Sequence, residues 1–143
     1  MNEKKYISII CHYEETLSKF GDSHLGVDWP KAIDVETRYA IMLGIINNRL
    51  KKKVKILDFG CGASHLYDYL IRKNMLKAID YHGLDMSEKF ISLSKSKYPE
   101  VKYFCQDINE NYSNLGKYDY VILNGVFTEK CNLSFEEMFL YFK

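Results

Sequence analysis

Asp58, Gly60 and Gly62 form the pattern Asp-x-Gly-x-Gly inside Ile56-Leu57-Asp58-Phe59-Gly60-Cys61-Gly62-Ala63-Ser64, where an apolar run meets a glycine turn. Glycines at such a turn adopt conformations closed to other residues and let a ligand approach the backbone, while the free N–H groups of the next helix point at it. The run reads Gly-x-Gly-x-x-His, with His65 where a dinucleotide fold needs a third glycine for close helix packing. A carboxylate two residues ahead of the turn repels pyrophosphate and suits a ligand with an ammonium and a sulfonium centre. The plain alternative is that Asp58 only caps the turn. Cys11, Cys61, Cys105 and Cys131 stand singly, with no CxxC or Cys/His pairing at zinc spacing, so no disulfide framework and no metal is expected.

The elements around this turn follow from hydrophobic periodicity. Val54 to Phe59 predicts a buried strand, Gly60 to Ala63 a turn, and Ser64 to Lys73 a helix burying Leu66, Tyr69 and Leu70. A second strand ends at Asp85. Ser87 caps the next helix, with Phe90, Ile91 and Leu93 inward and Pro99 forbidding its continuation. Val101 to Cys105 is a third strand, Asn109 to Gly116 a loop or a short irregular helix, and Tyr118 to Leu123 a fourth strand. Strands alternating with helices imply an α/β chain with a parallel, doubly wound sheet. Ahead of it lies an N-terminal helical extension, residues 1–53. Tyr6, Ile10, Tyr13, Leu17 and Phe20 make one helical stripe that stops at Gly21, and Gly21 to Pro30 reads as a loop. A second helix is capped by Asp34, carries Val35, Tyr39, Met42, Ile46 and Leu50 inward, and ends on Lys51 to Lys53.

Length and composition bound the function. With 143 residues, 47% hydrophobic and 27% charged, the chain suits one domain with a real core. Twenty Lys plus Arg against 19 Asp plus Glu give a net charge of +1, so no field favours nucleic acid or an anionic membrane. No apolar run approaches the ~20 residues of a membrane span, and Met1 to Tyr6 lacks a secretory signal's apolar core, so a cytoplasmic protein is expected.

Asp58, Gly60 and Gly62 in their strand–turn–helix setting resemble motif I of the class I S-adenosylmethionine-dependent methyltransferases, and the likeness extends over Val54 to Leu140. The resemblance implies a Rossmann-like sheet of order 3-2-1-4 with S-adenosylmethionine as cofactor. The acid and turn, with Cys61 as a small filler, would hold its methionine part. Asp85, followed by Met86, would accept both ribose hydroxyls. Asp107, in Phe104-Cys105-Gln106-Asp107-Ile108, would receive the adenine amino group, with Gln106 alongside and Ile108 against the ring. Asn124-Gly125 resembles the fourth motif, near the transferring methyl. Gly26 to Pro30 and Thr37 to Tyr39 look like the front of some bacterial members, so Trp29 would wall the pocket and Arg38 would pair with the methionine carboxylate. Their plain readings are a core tryptophan and a surface arginine.

Methyl transfer is an in-line displacement that needs alignment and exclusion of water more than a catalytic triad. His12, His24 and Glu129 are the bases on offer, and none is assigned. The resemblance implies a small-molecule or saccharide-like acceptor. With three arginines and no aromatic-proline motif after Asn124, nucleic acid is not expected as one. The alternatives are a non-catalytic binding module and an NAD-dependent oxidoreductase. Family members usually have seven strands and four are readable here. The expectation is therefore a truncated chain whose fourth strand is an edge, shielded by self-association into a homodimer. Ser134-x-x-Glu137 is a capping box opening a last helix whose Phe135, Met138, Phe139 and Phe142 need cover.

Overall fold

The computed structural model describes residues 5–46 and 53–143. The chain order is α1 (Ile7–Phe20), α2 (Ala32–Gly44), β1 (Val54–Phe59), α3 (His65–Arg72), β2 (Ile79–Asp85), α4 (Glu88–Lys97), β3 (Lys102–Cys105), β4 (Tyr120–Leu123) and α5 (Phe135–Phe142). All four strands are parallel, in the order β3-β2-β1-β4. β1 is central because it is apolar on both faces: Val54 and Ile56 point one way and Leu57 the other, and all three are buried. Its register with β2 runs from Val54↔Ile79 to Phe59↔Leu84, and with β4 from Ile56↔Tyr120 to Phe59↔Leu123. This is the Rossmann-like order expected.

One face of the sheet carries the main core. Ile56, Ile79, Tyr81 and Ile122 pack there with Leu66 and Leu70 of α3, Ile91 of α4, and Val35, Tyr39 and Leu43 of α2. The N-terminal segment thus shares the core of the sheet. The other face holds a smaller cluster, Leu57, Leu84 and Phe104, covered by Ile108, Leu115 and Tyr118 of the polar stretch between β3 and β4. A third cluster joins α1 to α5 through Ile9, Leu133 and Met138. The Ser134–Glu137 capping box is formed, but of Phe135, Met138, Phe139 and Phe142 only Met138 is buried. On β4, Val121 is 51% and Leu123 43% exposed.

Several boundaries differ from the periodic reading for local reasons. Asp34 is not the N-cap of α2. The chain after Pro30 is extended at Lys31, which serves as N-cap, and the helix starts at Ala32, leaving Asp34 in the first turn where its charge still favours the helix dipole. Ser64 stands outside α3 in a left-handed conformation, φ 61°. In α4 the buried third residue is Ser94 rather than Leu93, because its hydroxyl donates to Gly62 O at 2.8 Å and accepts from Ser64 Oγ at 2.8 Å. Tyr118 and Asp119 precede β4, where Asp119 Oδ2 accepts the Lys55 N–H at 2.8 Å. The expectations for Leu50, Lys51 and Lys52 lie outside the described residues.

Candidate functional site

The carboxyl ends of the four strands converge on a crevice of about 320 Å³. Its floor is the turn after β1. Gly60 and Gly62 have φ 75° and 50°, the left-handed region where a Cβ is strained. The N–H groups of Gly60 and Cys61 donate to Leu84 O at 2.8 and 3.0 Å, and Lys97 Nζ donates to Ala63 O at 2.9 Å, so β2 and α4 both staple the turn. A Cβ on Gly60 would lie 2.5 Å from Val126 Cγ2. Gly116 has nearly the same φ, 76°, with nothing within 4 Å of its Cβ position. Gly60→Ala is therefore expected to lower stability by about 1–3 kcal/mol more than Gly116→Ala, measured by thermal or urea unfolding. Equal losses would mean the segment after β4 does not press on the turn.

Asp58, at the end of β1, is 3% exposed, and its Oδ2 accepts the Tyr81 hydroxyl at 2.7 Å. Burial pushes its carboxyl up to about 7, against the pull of the Tyr81 hydrogen bond and with a further upward push from Asp85. Asp85 ends β2. Its Oδ2 accepts the Gly62 N–H and its Oδ1 the Ser87 N–H, each at 2.9 Å. Burial raises the Asp85 carboxyl and these backbone donors oppose the rise. Asp107, after β3, accepts the Tyr6 hydroxyl on Oδ2 and the Asn109 N–H on Oδ1 at 2.9 Å. Tyr6 in turn stacks on Tyr141 of α5, centroids 4.6 Å apart. The three carboxylates thus stand at successive strand tips around one cavity that all three line.

The other residues singled out in the sequence fall as follows. Cys61, Met86, Gln106, Ile108, Asn124, Gly125 and Trp29 all line the crevice. Cys61 is buried with its thiol held well above the usual range by burial and by Asp85, which makes it a filler and not a nucleophile. Met86 Sδ meets the Tyr141 hydroxyl at 3.8 Å. The Gln106 amide is spent on the following loop, donating to Asn111 O at 2.8 Å and Asn114 Oδ1 at 3.0 Å. Asn124 hydrogen-bonds the buried Tyr39 hydroxyl. Gly125, φ 89°, lies under Trp29, whose Cζ2 would be 3.2 Å from a Cβ there. Arg38 is outside the lining. Its guanidinium stacks on Trp29 at 4.8 Å from the ring centroid, so any reach to a ligand carboxylate requires it to leave that ring. His24 Nδ1 is engaged with Trp29 O at 2.6 Å, while His12 and Glu129 come together with Asp28 at the crevice mouth.

Tyr13 and Phe90, which the sequence marks only as core, Asp28, given no role of its own, and Phe127 and Tyr141, which it does not mark, also line the crevice. α1 and α5 bring the two tyrosines there. α1 is pinned by Glu14, which accepts the Ser87 hydroxyl at 2.6 Å and pairs with Lys89 at 2.9 Å, so its carboxyl sits below the usual range. α5 is tied to the start of the chain by the Lys5–Glu137 ion pair. No local pattern carries these contacts, because each joins residues about 70 to 130 positions apart.

The comparisons with known proteins bear on the family and the fold. A family model described as a methyltransferase domain matches residues 50–143. A segment of 82 residues, 56% of the chain, is 35% identical to malonyl-[acyl-carrier protein] O-methyltransferase of Priestia megaterium and spans 29% of that protein. Among solved structures, magnesium protoporphyrin IX methyltransferase of Synechocystis, with bound SAH, is 20% identical with a TM-score of 0.53, covering 85% of this chain and 58% of its own. A TehB-like SAM-dependent methyltransferase of Corynebacterium glutamicum has the same identity and TM-score, at 81% and 56% coverage. The chain therefore spans under a third of the curated relative and somewhat over half of these structures, whose likeness is one of fold. The family match takes in every strand of the sheet, the glycine turn and all three acidic strand tips, and on that ground this chain belongs to the methyltransferase domain family.

Proposed function

We propose that the chain binds S-adenosylmethionine in the crevice and serves methyl transfer to a small-molecule acceptor. The observation that carries this reading is the ring of Asp58, Asp85 and Asp107 around a glycine turn whose backbone is open to the cavity. The residues present fit the cofactor. Asp58 and the turn suit its cationic methionine part. Asp85 accepts the Gly62 N–H on Oδ2 and the Ser87 N–H on Oδ1, with the Met86 N–H also directed at the carboxylate, and its remaining lone-pair capacity suits a ribose hydroxyl. Asp107 and Ile108 suit the adenine, with the Tyr6 hydroxyl sharing the carboxylate. When bound, the cofactor supplies an electrophilic methyl group on a sulfonium. The chain's own part is to orient and to exclude water, with Trp29, Phe127 and Tyr141 walling the crevice. The relatives, a malonyl-[acyl-carrier protein] O-methyltransferase and a magnesium protoporphyrin IX methyltransferase, support a small or carrier-borne acceptor. Among the described residues no helix is long and apolar enough to cross a membrane, and a cytoplasmic place belongs to the same proposal.

A second reading is a cofactor-binding chain that does no chemistry alone. The exposed Val121 and Leu123 on β4 favour it, since that edge strand of the sheet is left uncovered. Calorimetry with S-adenosylmethionine and S-adenosylhomocysteine is expected to show one site with micromolar affinity. NAD binding in place of both would overturn the proposal. Cofactor binding without methyl transfer to any of a panel of hydroxyl, carboxyl and amine acceptors would select the second reading.

A further inference from the structure

His12, Asp28 and Glu129 belong to α1, to the loop that follows it and to the segment after β4, and one donor atom of each lies within 4.8 Å of the other two. His12 Nε2 is 2.9 Å from Asp28 Oδ2. A divalent ion bonded at about 2.0–2.2 Å to imidazole nitrogen and carboxylate oxygen holds adjacent donors about 3 Å apart and opposed ones about 4 Å apart. The His12–Asp28 pair stands at the adjacent-donor separation, and a Glu129 oxygen lies within 4.8 Å of a donor atom of each, so a rotamer adjustment of Glu129 closes the set. Asp28 has the His12 imidazole beside it as its ion-pair partner. Among the described residues neither Asp28 nor Glu129 pairs with a lysine or arginine, and the nearby Lys130 ammonium donates to Leu133 O at 3.1 Å. Glu129 is already oriented from behind, because the Cys131 N–H donates to its Oε1 at 2.7 Å and the Cys131 thiol hydrogen-bonds it as well. Metal-binding carboxylates are commonly held by such outer partners. Asp28 and Glu129 also line the crevice, so an ion between them faces the cavity.

We propose that His12, Asp28 and Glu129 form a binding site for a first-row divalent cation of the Mn²⁺ or Zn²⁺ class at the crevice mouth. One nitrogen and two oxygen donors suit such an ion better than Ca²⁺, which takes six to eight oxygens. Three protein donors leave positions open for water or for an oxygen-bearing ligand in the crevice. The three residues are 16 and 101 positions apart, which is why no spacing motif announces them. The site stands on its own residues and does not depend on the cofactor reading.

The test is Mn²⁺ binding to the chain without cofactor, followed by the electron paramagnetic resonance signal of the free ion. One equivalent is expected to bind. Asp28→Asn and Glu129→Gln are each expected to weaken it at least about tenfold, and Asp34→Asn, on the exposed start of α2, is expected to leave it unchanged. Asn suits the Asp28 backbone, whose φ is 61°, and circular dichroism verifies the fold of each variant. Nitrogen modulation in the pulsed spectrum is expected from His12 and is lost in His12→Ala. No binding below millimolar Mn²⁺, or affinity that both carboxamide variants leave intact, overturns the proposal.

Discussion

Asp85→Ala is expected to raise the dissociation constant for S-adenosylhomocysteine at least about a hundredfold. Two hydrogen bonds to a charged carboxylate contribute about 1.5–3 kcal/mol each, so losing both amounts to 10²–10⁴ in affinity. The demethylated product is the right probe because it is a neutral thioether, which isolates the hydrogen bonds from attraction to the sulfonium. The same carboxylate also holds the glycine turn, since Gly62 N–H and Ser87 N–H both end on it. Alanine leaves these two donors without their acceptor, and the melting temperature is expected to fall by several degrees. Asp85→Asn separates the roles. It keeps one acceptor oxygen and its shape, so stability is expected to recover in part while binding stays weakened about tenfold or more. An alanine variant within threefold of the parent would remove Asp85 from the ligand contacts and with it the ribose half of the proposed function.

What was legible in the sequence is what is local. The stretch from β1 to Asp85 reads directly, because a strand apolar on both faces, a glycine turn and a helix with Leu66 and Leu70 inward are each written within about ten residues. The strand-tip placement of Asp58, Asp85 and Asp107 follows from those boundaries. Their environments do not. That Asp58 is sealed under Tyr81, that Tyr6 shares Asp107 and that Asp85 ties down Gly62 are cross-chain contacts. Arg38 shows the limit most plainly. Its residue type suits a carboxylate, yet the face of α2 that carries it sets the guanidinium on the Trp29 ring. His12 and Glu129 were legible only as unassigned bases, and their meeting with Asp28 was not, since metal motifs are recognised by short spacing and these donors come together only after folding.

Asp58→Asn is expected to stabilise the free protein at neutral and alkaline pH while weakening its hold on S-adenosylmethionine. The sign follows from burial. In the unfolded chain the carboxyl ionises near the usual 3.8, and in the folded chain only near 7, so between those values the folded state holds a proton the unfolded state has lost. Stability therefore falls as pH rises from about 4 to about 7 and stays low above. Asparagine never ionises and escapes that loss. Its advantage over the parent is expected to be about 2–3 kcal/mol larger at pH 8 than at pH 5, read from urea unfolding at the two values. A cationic ligand needs the opposite state of the same group. Ionised Asp58 attracts it and protonated Asp58 does not, so affinity of the parent for S-adenosylmethionine is expected to climb up to tenfold per pH unit from pH 5 to 7. The variant should bind weakly with a flat profile, while the neutral homocysteine product should show a shallower climb in the parent. Parallel curves for parent and variant would mean that the Tyr81 hydrogen bond keeps Asp58 ionised throughout, and that its burial serves the core instead of the ligand.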